Sequence, residues 1–339
     1  MTQVYIHIGL HKTATTFLQT LVFPRLKGTI YLSRPYTQLN HAFNKLQYAD
    51  DARYNEMEIR QELEKFQNAE RLFISDEMLS GIPNFNYINR SVIAKRISEL
   101  FPDANIILFL RGQIDLINSL YNTWVKNQKG TRTIQDFVYF PTRDYSYRDF
   151  QKNELKAGSS FQRRIKTFYF HYDHFSLNLS NFFYYELVSF YKQLFKNVHV
   201  FLFEDFRQNP WQEISKLQEI LANRREAPHC TVGQCGGVSR DDFVDINQQD
   251  IESSRNVSLG EVDLEGRRFR NGVSNFAQNK ILLKIAELTG KLVARASSNP
   301  SNKDYLKQYI KEFYRENNQK LIQAYPEIAL DKYPQNYQL

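Results

Sequence analysis

A short stretch near the start of the chain carries residues suited to binding an anion. Val4–Ile8 is an apolar run that predicts a buried strand, and it is followed by Gly9 and by a segment that predicts a helix starting near Thr13. The free N–H groups and the positive dipole end of a helix N-terminus attract an anion. Lys12 adds a positive charge, and Gly9 lets the backbone turn closely. This stretch therefore predicts a phosphate or sulfate site.

Charged residues also follow three other predicted strands directly. They are Asp76 and Glu77 after Arg71–Ser75, Arg111 after Asn105–Leu110, and Glu204 and Asp205 after Val198–Phe203. Such strands alternate with segments of helical periodicity, which predicts an α/β fold with a mainly parallel central sheet, helices on both faces, and helical or loop insertions. Ligands of such sheets bind beyond the carboxyl ends of the strands, so we expect these residues near the loop after Gly9.

The length of the chain suits one large domain with insertions. It has 339 residues, of which 42% are apolar, and this predicts a single domain over 1–339 with a substantial core. Residues 3–222 hold the predicted strands, and 128–175 break the alternation and are interpreted as an insertion or lid on the acceptor side of the site. Residues 223–339 are interpreted as a late loop followed by C-terminal helices.

The charge balance narrows the class of partner. The 44 basic and 37 acidic residues give a net charge of +7, which suits an anionic small molecule or an acidic acceptor. No long Lys/Arg run is present, so nucleic acid is not expected. No apolar run approaches about 18 residues, and no signal peptide is recognised, so we expect no transmembrane segment and a cytoplasmic location. His229, Cys230 and Cys235 are interpreted as loop residues, so no metal site is expected. The oligomeric state is not readable from the sequence.

The loop after Gly9 differs from the loop that binds nucleoside triphosphates. That pattern is G-x-x-x-x-G-K-[ST], whereas Lys12 follows Gly9 by three residues and no second glycine precedes it. Use of ATP would also need Mg²⁺ ligands, for which Thr13 and Asp76 are the candidates. A P-loop kinase of a small metabolite is one alternative function. A non-catalytic nucleotide or polyanion binder that keeps the fold is another.

The spacing G-x-x-K-T-x-T-T from Gly9 to Thr16 resembles the 5′-phosphosulfate loop of sulfotransferases that use 3′-phosphoadenosine 5′-phosphosulfate (PAPS), in particular those of the bacterial type. Their pattern is a strand followed by G-x-x-K-[ST]-G-[ST]-[ST]. Ala14 stands where glycine is usual, and we interpret this change as mild because alanine is small and compatible with a helix.

Two later segments extend the resemblance over about residues 3–222. NIILFLRGQIDLINSLY resembles the 3′-phosphate signature of the family, with Arg111 at a strand end and Ser119 eight residues later. VHVFLFEDFRQNP is a softer match to a third family segment. Many family members also close the nucleotide site with a late basic loop, for which Arg255–Gly260 and Gly266–Gly272 are the candidates.

The resemblance implies a P-loop NTPase-like sulfotransferase fold and the corresponding reaction. A sulfuryl group would pass in line from PAPS to a hydroxyl or amine, leaving adenosine 3′,5′-bisphosphate and requiring no metal. The acceptor class it implies is a hydroxyl-bearing molecule, in particular a carbohydrate or glycoconjugate. The cofactor-binding residues it implies are Gly9, Lys12, Thr13, Ala14, Thr15, Thr16, Arg111, Ser119 and Arg255.

Three residues are the candidates for catalysis. Lys12 is expected to stabilise negative charge on the leaving oxygen. Glu77 is the preferred general base for the acceptor hydroxyl, because glycan-sulfating relatives use a glutamate in a comparable place. His11 is the competing candidate for the base, and an alternative interpretation of Glu77 is that it caps the following helical turn.

Overall fold

The structure is a computed structural model that describes residues 2–33, 40–83, 86–123, 134–139, 177–222 and 300–339. The chain divides into two compact units. The first comprises Met1–Gly112, Glu186–Glu261 and Tyr325–Tyr333, and the second comprises Gln113–Tyr185, Val262–Ala324 and Pro334–Leu339. A single domain over 1–339 stays a prediction, and most of the proposed insertion at 128–175 lies outside the described residues.

The first unit is built on a parallel sheet of five strands, and the second unit contains a smaller sheet of two. In chain order, the strands of both sheets in the described residues are β1 (Gln3–His7), β2 (Thr29–Ser33), β3 (Arg71–Ser75), β4 (Asn105–Leu110), β5 (Val138–Tyr139), β6 (Leu177–Asn178) and β7 (Asn197–Leu202). The large sheet has the order β2-β3-β1-β4-β7, and all of its pairs are parallel. β5 and β6 pair in the second unit. The predicted α/β class with a parallel sheet is confirmed.

Helices connect these strands. The α-helices of the first unit are Thr15–Phe17, Asn40–Tyr48, Glu56–Glu64, Arg90–Leu100, Tyr184–Leu194 (from Glu186 onward), Phe203–Gln208 and Pro210–Ala222. Those of the second unit are Gln113–Tyr121, Ile134–Phe137, Pro300–Ala324 and Pro334–Tyr337. Short 3-10 helices cover Phe23–Arg25, Glu77–Ser80, Leu179–Phe182, Pro326–Ile328 and Leu330–Lys332. Within the described ranges, no helix has the length and apolar character to cross a membrane.

The strand bounds follow the apolar runs of the sequence. β3 and β4 begin and end at the predicted residues, whereas β1 and β7 are each displaced by one residue toward the N-terminus. Val, Ile, Leu and Phe fill these runs because both faces of a parallel sheet are covered. On one face, aromatic and aliphatic side chains of four strands form a core cluster that includes Tyr5, Phe73, Ile107, Phe109 and Phe201. Side chains of the opposite face are also buried, among them Ile6, Ile74, Ile106 and Leu108.

The residues that follow β1, β3 and β4 share one edge of the sheet. His7 at the end of β1 pairs with Ser75 of β3 and with Ile107 of β4. Two hydrogen bonds continue this pairing past β1. The Asp76 N–H donates to the His7 carbonyl over 3.2 Å, and the Ile8 N–H donates to the Ile107 carbonyl over 3.1 Å. The loop after β1 is therefore held on both sides.

The last residue of β1, His7, is completely buried under that loop. Its ring packs edge-on against Phe23 and Phe109, with centroid distances of 5.0 and 5.6 Å. Nδ1 lies within hydrogen-bonding distance of Ser75 Oγ at 2.8 Å, and Gln19 Nε2 donates to the same oxygen over 3.1 Å. Burial lowers the pKa of His7 from 6.5 to about 3. The imidazole is thus neutral in the folded protein near neutral pH.

We predict that His7 makes the folded state sensitive to mild acid. Between its ordinary pKa of 6.5 and its folded pKa of about 3, the unfolded chain binds a proton that the folded chain does not. The free energy of unfolding should therefore decrease as the pH falls through this window, by up to about 1.4 kcal/mol per pH unit, and His7 should have no such effect above it. In His7→Asn the dependence should be shallower. Urea unfolding of both proteins from pH 7.5 to 4.5 measures this, because the carboxylate contributions are common to both, and parallel curves would contradict the prediction.

Candidate active site

The loop between β1 and the first helix has an unusual backbone. The helix begins at Thr15 instead of Thr13, and it continues as a π-helix at Leu18–Val22 before a final 3-10 turn. Lys12 and Ala14 both adopt left-handed backbone conformations, with φ angles of 68° and 63°. No side chain caps the helix at Ala14. Within the described residues, the N–H groups of Lys12, Thr13 and Ala14 donate no hydrogen bond to the protein. Such a turn with open N–H groups forms an anion-binding concavity.

The conformation of Ala14 gives a physical reason for the glycine of the sulfotransferase pattern. The expectation that alanine is a mild change assumed a helical position, but Ala14 precedes the helix and has a positive φ. A left-handed conformation costs an L-residue about 1–2 kcal/mol, whereas glycine adopts it freely. The chain therefore retains backbone strain at this position of the loop.

Gly9 is required by the close approach of the loop to His7. A Cβ atom at this position would lie 2.6 Å from His7 Nε2 and 2.9 Å from Thr15 Cγ2. The imidazole has little freedom to retreat, since Ser75 and two aromatic rings hold it. Only glycine lets the backbone cross the histidine at this distance.

The three threonines of the loop point in different directions. The Thr13 hydroxyl is fully buried and donates to the Leu10 carbonyl. Thr15 is 4% exposed, and its hydroxyl donates to Glu77 Oε2 over 2.6 Å. Thr16 is exposed, and its carbonyl accepts a hydrogen bond from the Thr20 hydroxyl. Thr15 is thus the threonine that connects the loop with the end of β3.

Glu77 and Asp76 have separate roles after β3. Asp76 is the residue that caps the short helix Glu77–Ser80, because its Oδ1 accepts the Met78 N–H over 2.9 Å. Its other oxygen accepts from Gln47 Nε2 over 2.7 Å, and the residue is 1% exposed. The alternative interpretation of Glu77 as the cap is therefore wrong. The half-buried carboxylate of Glu77 faces Thr15 instead.

Lys12 is a half-buried cation between opposing charges. Partial burial lowers its pKa from the ordinary value of 10.5, and the positive charge of Arg111 lowers it further. The negative charge of Glu77 opposes both effects. Among the described residues, Lys12 makes no ion pair within 4.0 Å. The ammonium group therefore keeps its donors for a ligand.

Arg111 links the end of β4 to this loop. Its Nη1 donates to the Lys12 carbonyl over 2.8 Å, and its guanidinium stacks over the Phe203 ring at 4.4 Å. The next residue, Gly112, donates its N–H to Glu204 Oε1 over 2.9 Å, and Glu204 is 2% exposed. Phe203 and Glu204 come from the helix that follows β7. The loop, β4 and β7 are thereby connected through one arginine.

The remaining site residues predicted from sequence are His11, Ser119 and Arg255. His11 is 8% exposed and packs edge-on against Tyr87, with 5.9 Å between the ring centroids. Ser119 is half-buried on the helix Gln113–Tyr121 of the second unit, while Arg111 belongs to the first, so their use of one phosphate stays a prediction. Arg255 lies outside the described residues.

Two residues that hold the site together were not predicted from sequence, and a third was predicted without its partner. Gln47 holds Asp76, and Phe203 and Glu204 hold the segment of Arg111. Glu204 was noted as a strand-end residue, but no pattern paired it with Gly112. A usable signal for Phe203 was its position directly after β7, which pairs with β4, the strand that precedes Arg111. Gln47 carried no sequence signal, because it comes from a helix about 30 residues before its partner.

We predict opposite effects for two small substitutions in the loop. Gly9→Ala should lower the free energy of unfolding by about 1–3 kcal/mol, because the new methyl group overlaps His7. Ala14→Gly should raise it by about 0.5–1 kcal/mol, since relief of the left-handed strain exceeds the added entropy of the unfolded chain. Urea unfolding at pH 7.5 measures both. A loss of stability in Ala14→Gly would show that the strain is absent.

Comparison with solved structures finds several that are similar, and two of them are sulfotransferases. No family model matches the chain, and no curated protein matches it either. A sulfotransferase from Alicyclobacillus acidocaldarius is 16% identical, with a TM-score of 0.42 over 76% of this chain and 95% of that chain. Mouse sulfotransferase SULT7A1 complexed with PAP is 12% identical, with a TM-score of 0.40 over 98% of this chain and 89% of that chain. Because both TM-scores are low, we base the function on the residues of the loop and not on these two similarities.

Proposed function

We propose that this protein is a sulfotransferase that moves a sulfuryl group from PAPS to a hydroxyl or amine of an acceptor and leaves adenosine 3′,5′-bisphosphate. The observation that carries this proposal is a loop with open N–H groups whose lysine makes no ion pair within the described residues, while both candidate metal ligands are engaged. Lys12 is without an ion pair among the described residues, whereas Thr13 and Asp76 are buried and hydrogen-bonded to the protein.

The residues of the loop fit a phosphosulfate group. The N–H groups of Lys12, Thr13 and Ala14 donate nothing to the described protein, so they are available to the oxygens of an anion. Gly9 keeps the loop free of a side chain where it crosses His7. Arg111 fixes the Lys12 carbonyl and thus the direction of the open N–H groups. In this proposal the loop holds the 5′-phosphosulfate, and Arg111 with Ser119 holds the 3′-phosphate.

The same contacts argue against the kinase alternative. A P-loop kinase needs the hydroxyl at the Thr13 position to contact Mg²⁺. Here that hydroxyl is fully buried and donates to the Leu10 carbonyl. Asp76, the candidate for the second metal contact, has one oxygen engaged by the Met78 N–H and the other by Gln47. Binding a metal at these residues would first break three hydrogen bonds.

The chemistry proposed for the site uses charges that are already in position. As the acceptor oxygen bonds to sulfur, the bond from sulfur to the phosphate oxygen breaks and its electron pair stays on that oxygen. Lys12 stabilises this developing charge, and its partial burial strengthens the interaction because little water competes. The acceptor proton passes to Glu77, which is half-buried beside the loop and does not cap the helix. Glu77 then returns the proton to water.

Glu77 is favoured over His11 as the base. His11 is more deeply buried and packs against Tyr87, while Glu77 is partly accessible at the sheet edge. A glutamate base is what glycan-sulfating relatives use in a comparable place. We therefore propose a carbohydrate or glycoconjugate as the acceptor class. Transfer of radiolabelled sulfate from PAPS to each member of a panel of sulfate-free glycans, phenols and amines tests this class.

We predict that the protein binds adenosine 3′,5′-bisphosphate without added metal. Isothermal titration calorimetry with this nucleotide in the presence of EDTA should give saturable binding, which weakens as salt is raised because the interaction is ionic. Titration with Mg-ATP should give much weaker binding, since Thr13 and Asp76 are engaged. Preference for Mg-ATP would refute the sulfotransferase in favour of the kinase. Tight bisphosphate binding with no transfer to any acceptor would favour a non-catalytic nucleotide binder.

We predict separate roles for Lys12 and Glu77 in turnover. Lys12→Ala should lower the transfer rate by about 10²–10³-fold, because a positioned charge at the leaving oxygen is lost. Glu77→Gln should lower it by about 10²–10⁴-fold while the bisphosphate still binds, because general-base catalysis is lost. Lys95→Ala and Glu64→Gln, two exposed helical positions, serve as matched controls and should keep the rate. Retained turnover in Glu77→Gln would move the base to His11.

A further inference from the structure

We propose that Thr15 redirects the hydrogen bond of its hydroxyl from Glu77 to the phosphate of the nucleotide, so that nucleotide binding releases Glu77 to act as the base. Thr15 is thus a positioning residue for Glu77 as well as a ligand of the nucleotide. This inference rests on the proposed function. It adds a coupling between the loop that binds the nucleotide and the base. Because of this coupling, the nucleotide must bind before the acceptor can react.

The contact that carries this inference is short and well enclosed. Thr15 Oγ1 donates to Glu77 Oε2 over 2.6 Å, and Thr15 is 4% exposed. Asp76 already caps the helix Glu77–Ser80, so no backbone group of that helix competes for Glu77. Within the described part of the chain, Thr15 is the residue whose side chain donates to the Glu77 carboxylate. The orientation of Glu77 in this state is therefore set by one hydroxyl group.

A hydroxyl group has one proton and cannot donate it to two anions at once. Thr15 follows directly after the open N–H groups of the loop, at the first position of the helix. A phosphate bound there accepts a hydrogen bond from the hydroxyl only if the hydrogen bond to Glu77 breaks. The phosphate and the carboxylate also repel each other, which further favours departure of Glu77 from Thr15.

The two positions of the hydroxyl have different consequences for Glu77. Without nucleotide, Thr15 engages Oε2 of Glu77 and holds the carboxylate toward the loop. With the phosphate in place, Glu77 loses that donor, and its carboxylate is released to face the acceptor hydroxyl. Productive turnover thus requires the nucleotide to bind first, which limits futile occupation of the base by acceptor.

A double-mutant cycle on nucleotide affinity tests this coupling. Thr15→Val removes the hydroxyl at nearly constant volume, Glu77→Ala removes the carboxylate, and Glu77→Gln keeps an oxygen that accepts the Thr15 proton while removing the charge. Affinity for adenosine 3′,5′-bisphosphate is measured by calorimetry for each variant and for the combinations with Thr15→Val. Thermal unfolding without nucleotide checks that each protein is folded, and Thr15→Ser, which keeps the hydroxyl, should bind like the unmodified protein.

The expected result is a strong dependence of the Thr15→Val effect on residue 77. The substitution should weaken bisphosphate binding about threefold when Glu77 is present and in Glu77→Gln, because the hydroxyl must first leave its partner. In the Glu77→Ala background the hydroxyl is free, and Thr15→Val should weaken binding about tenfold or more.

Two other outcomes are distinguishable. An equal effect of Thr15→Val in all three backgrounds, with the unmodified protein binding the bisphosphate, overturns the coupling and leaves the proposed function intact. An effect that is the same in Glu77→Gln and Glu77→Ala, but smaller with Glu77, assigns the coupling to charge and also overturns the change of hydrogen-bond acceptor. Absence of bisphosphate binding by the unmodified protein overturns the proposed function itself.

Discussion

The parallel pairing of β1 with β3 on one side and β4 on the other is the constraint on which the site depends. It fixes His7 against Ser75 and Ile107, and the backbone hydrogen bonds of Asp76 and Ile8 continue it past the strand. Three residues from distant parts of the chain, Lys12, Glu77 and Arg111, then emerge at one edge of one sheet. No direct attraction among these side chains is needed, because the apolar core beneath determines where the strands end.

The carboxylates at this edge of the sheet are hydrogen-bonded to other groups, so the positive charge of Lys12 is available to an anionic ligand. Each of the neighbouring carboxylates has a defined donor: Asp76 accepts from Met78 and Gln47, Glu204 from Gly112, and Glu77 from a threonine. The cations are supported by other means, since Arg111 stacks on Phe203 and donates to a carbonyl. Within the described residues, Lys12 makes no ion pair with these acids, so one positive charge is held near the open backbone N–H groups without a neutralising partner.

Much of this sheet was predictable from the sequence, because continuous apolar runs bounded by charged residues have one stable use in an α/β fold. β3 and β4 have the predicted bounds, and the loop residues were identified by their spacing. The backbone conformation of the loop was not predictable. Lys12 and Ala14 are left-handed because the loop must cross His7 and then enter a helix, and this geometry depends on the surrounding fold and not on local propensity. The separate roles of Asp76 and Glu77 depend on long-range contacts with Gln47 and Thr15, so the sequence did not predict them.

Ala14 also affects how the loop meets its ligand. Glycine at this position would add conformations on both sides of the Ramachandran map, whereas alanine, once placed in the left-handed region by folding, has few alternatives nearby. The loop therefore loses this conformational entropy when the protein folds and not when a ligand binds. The fold is less stable as a result, but the site is preorganised, so that binding carries a smaller entropic penalty.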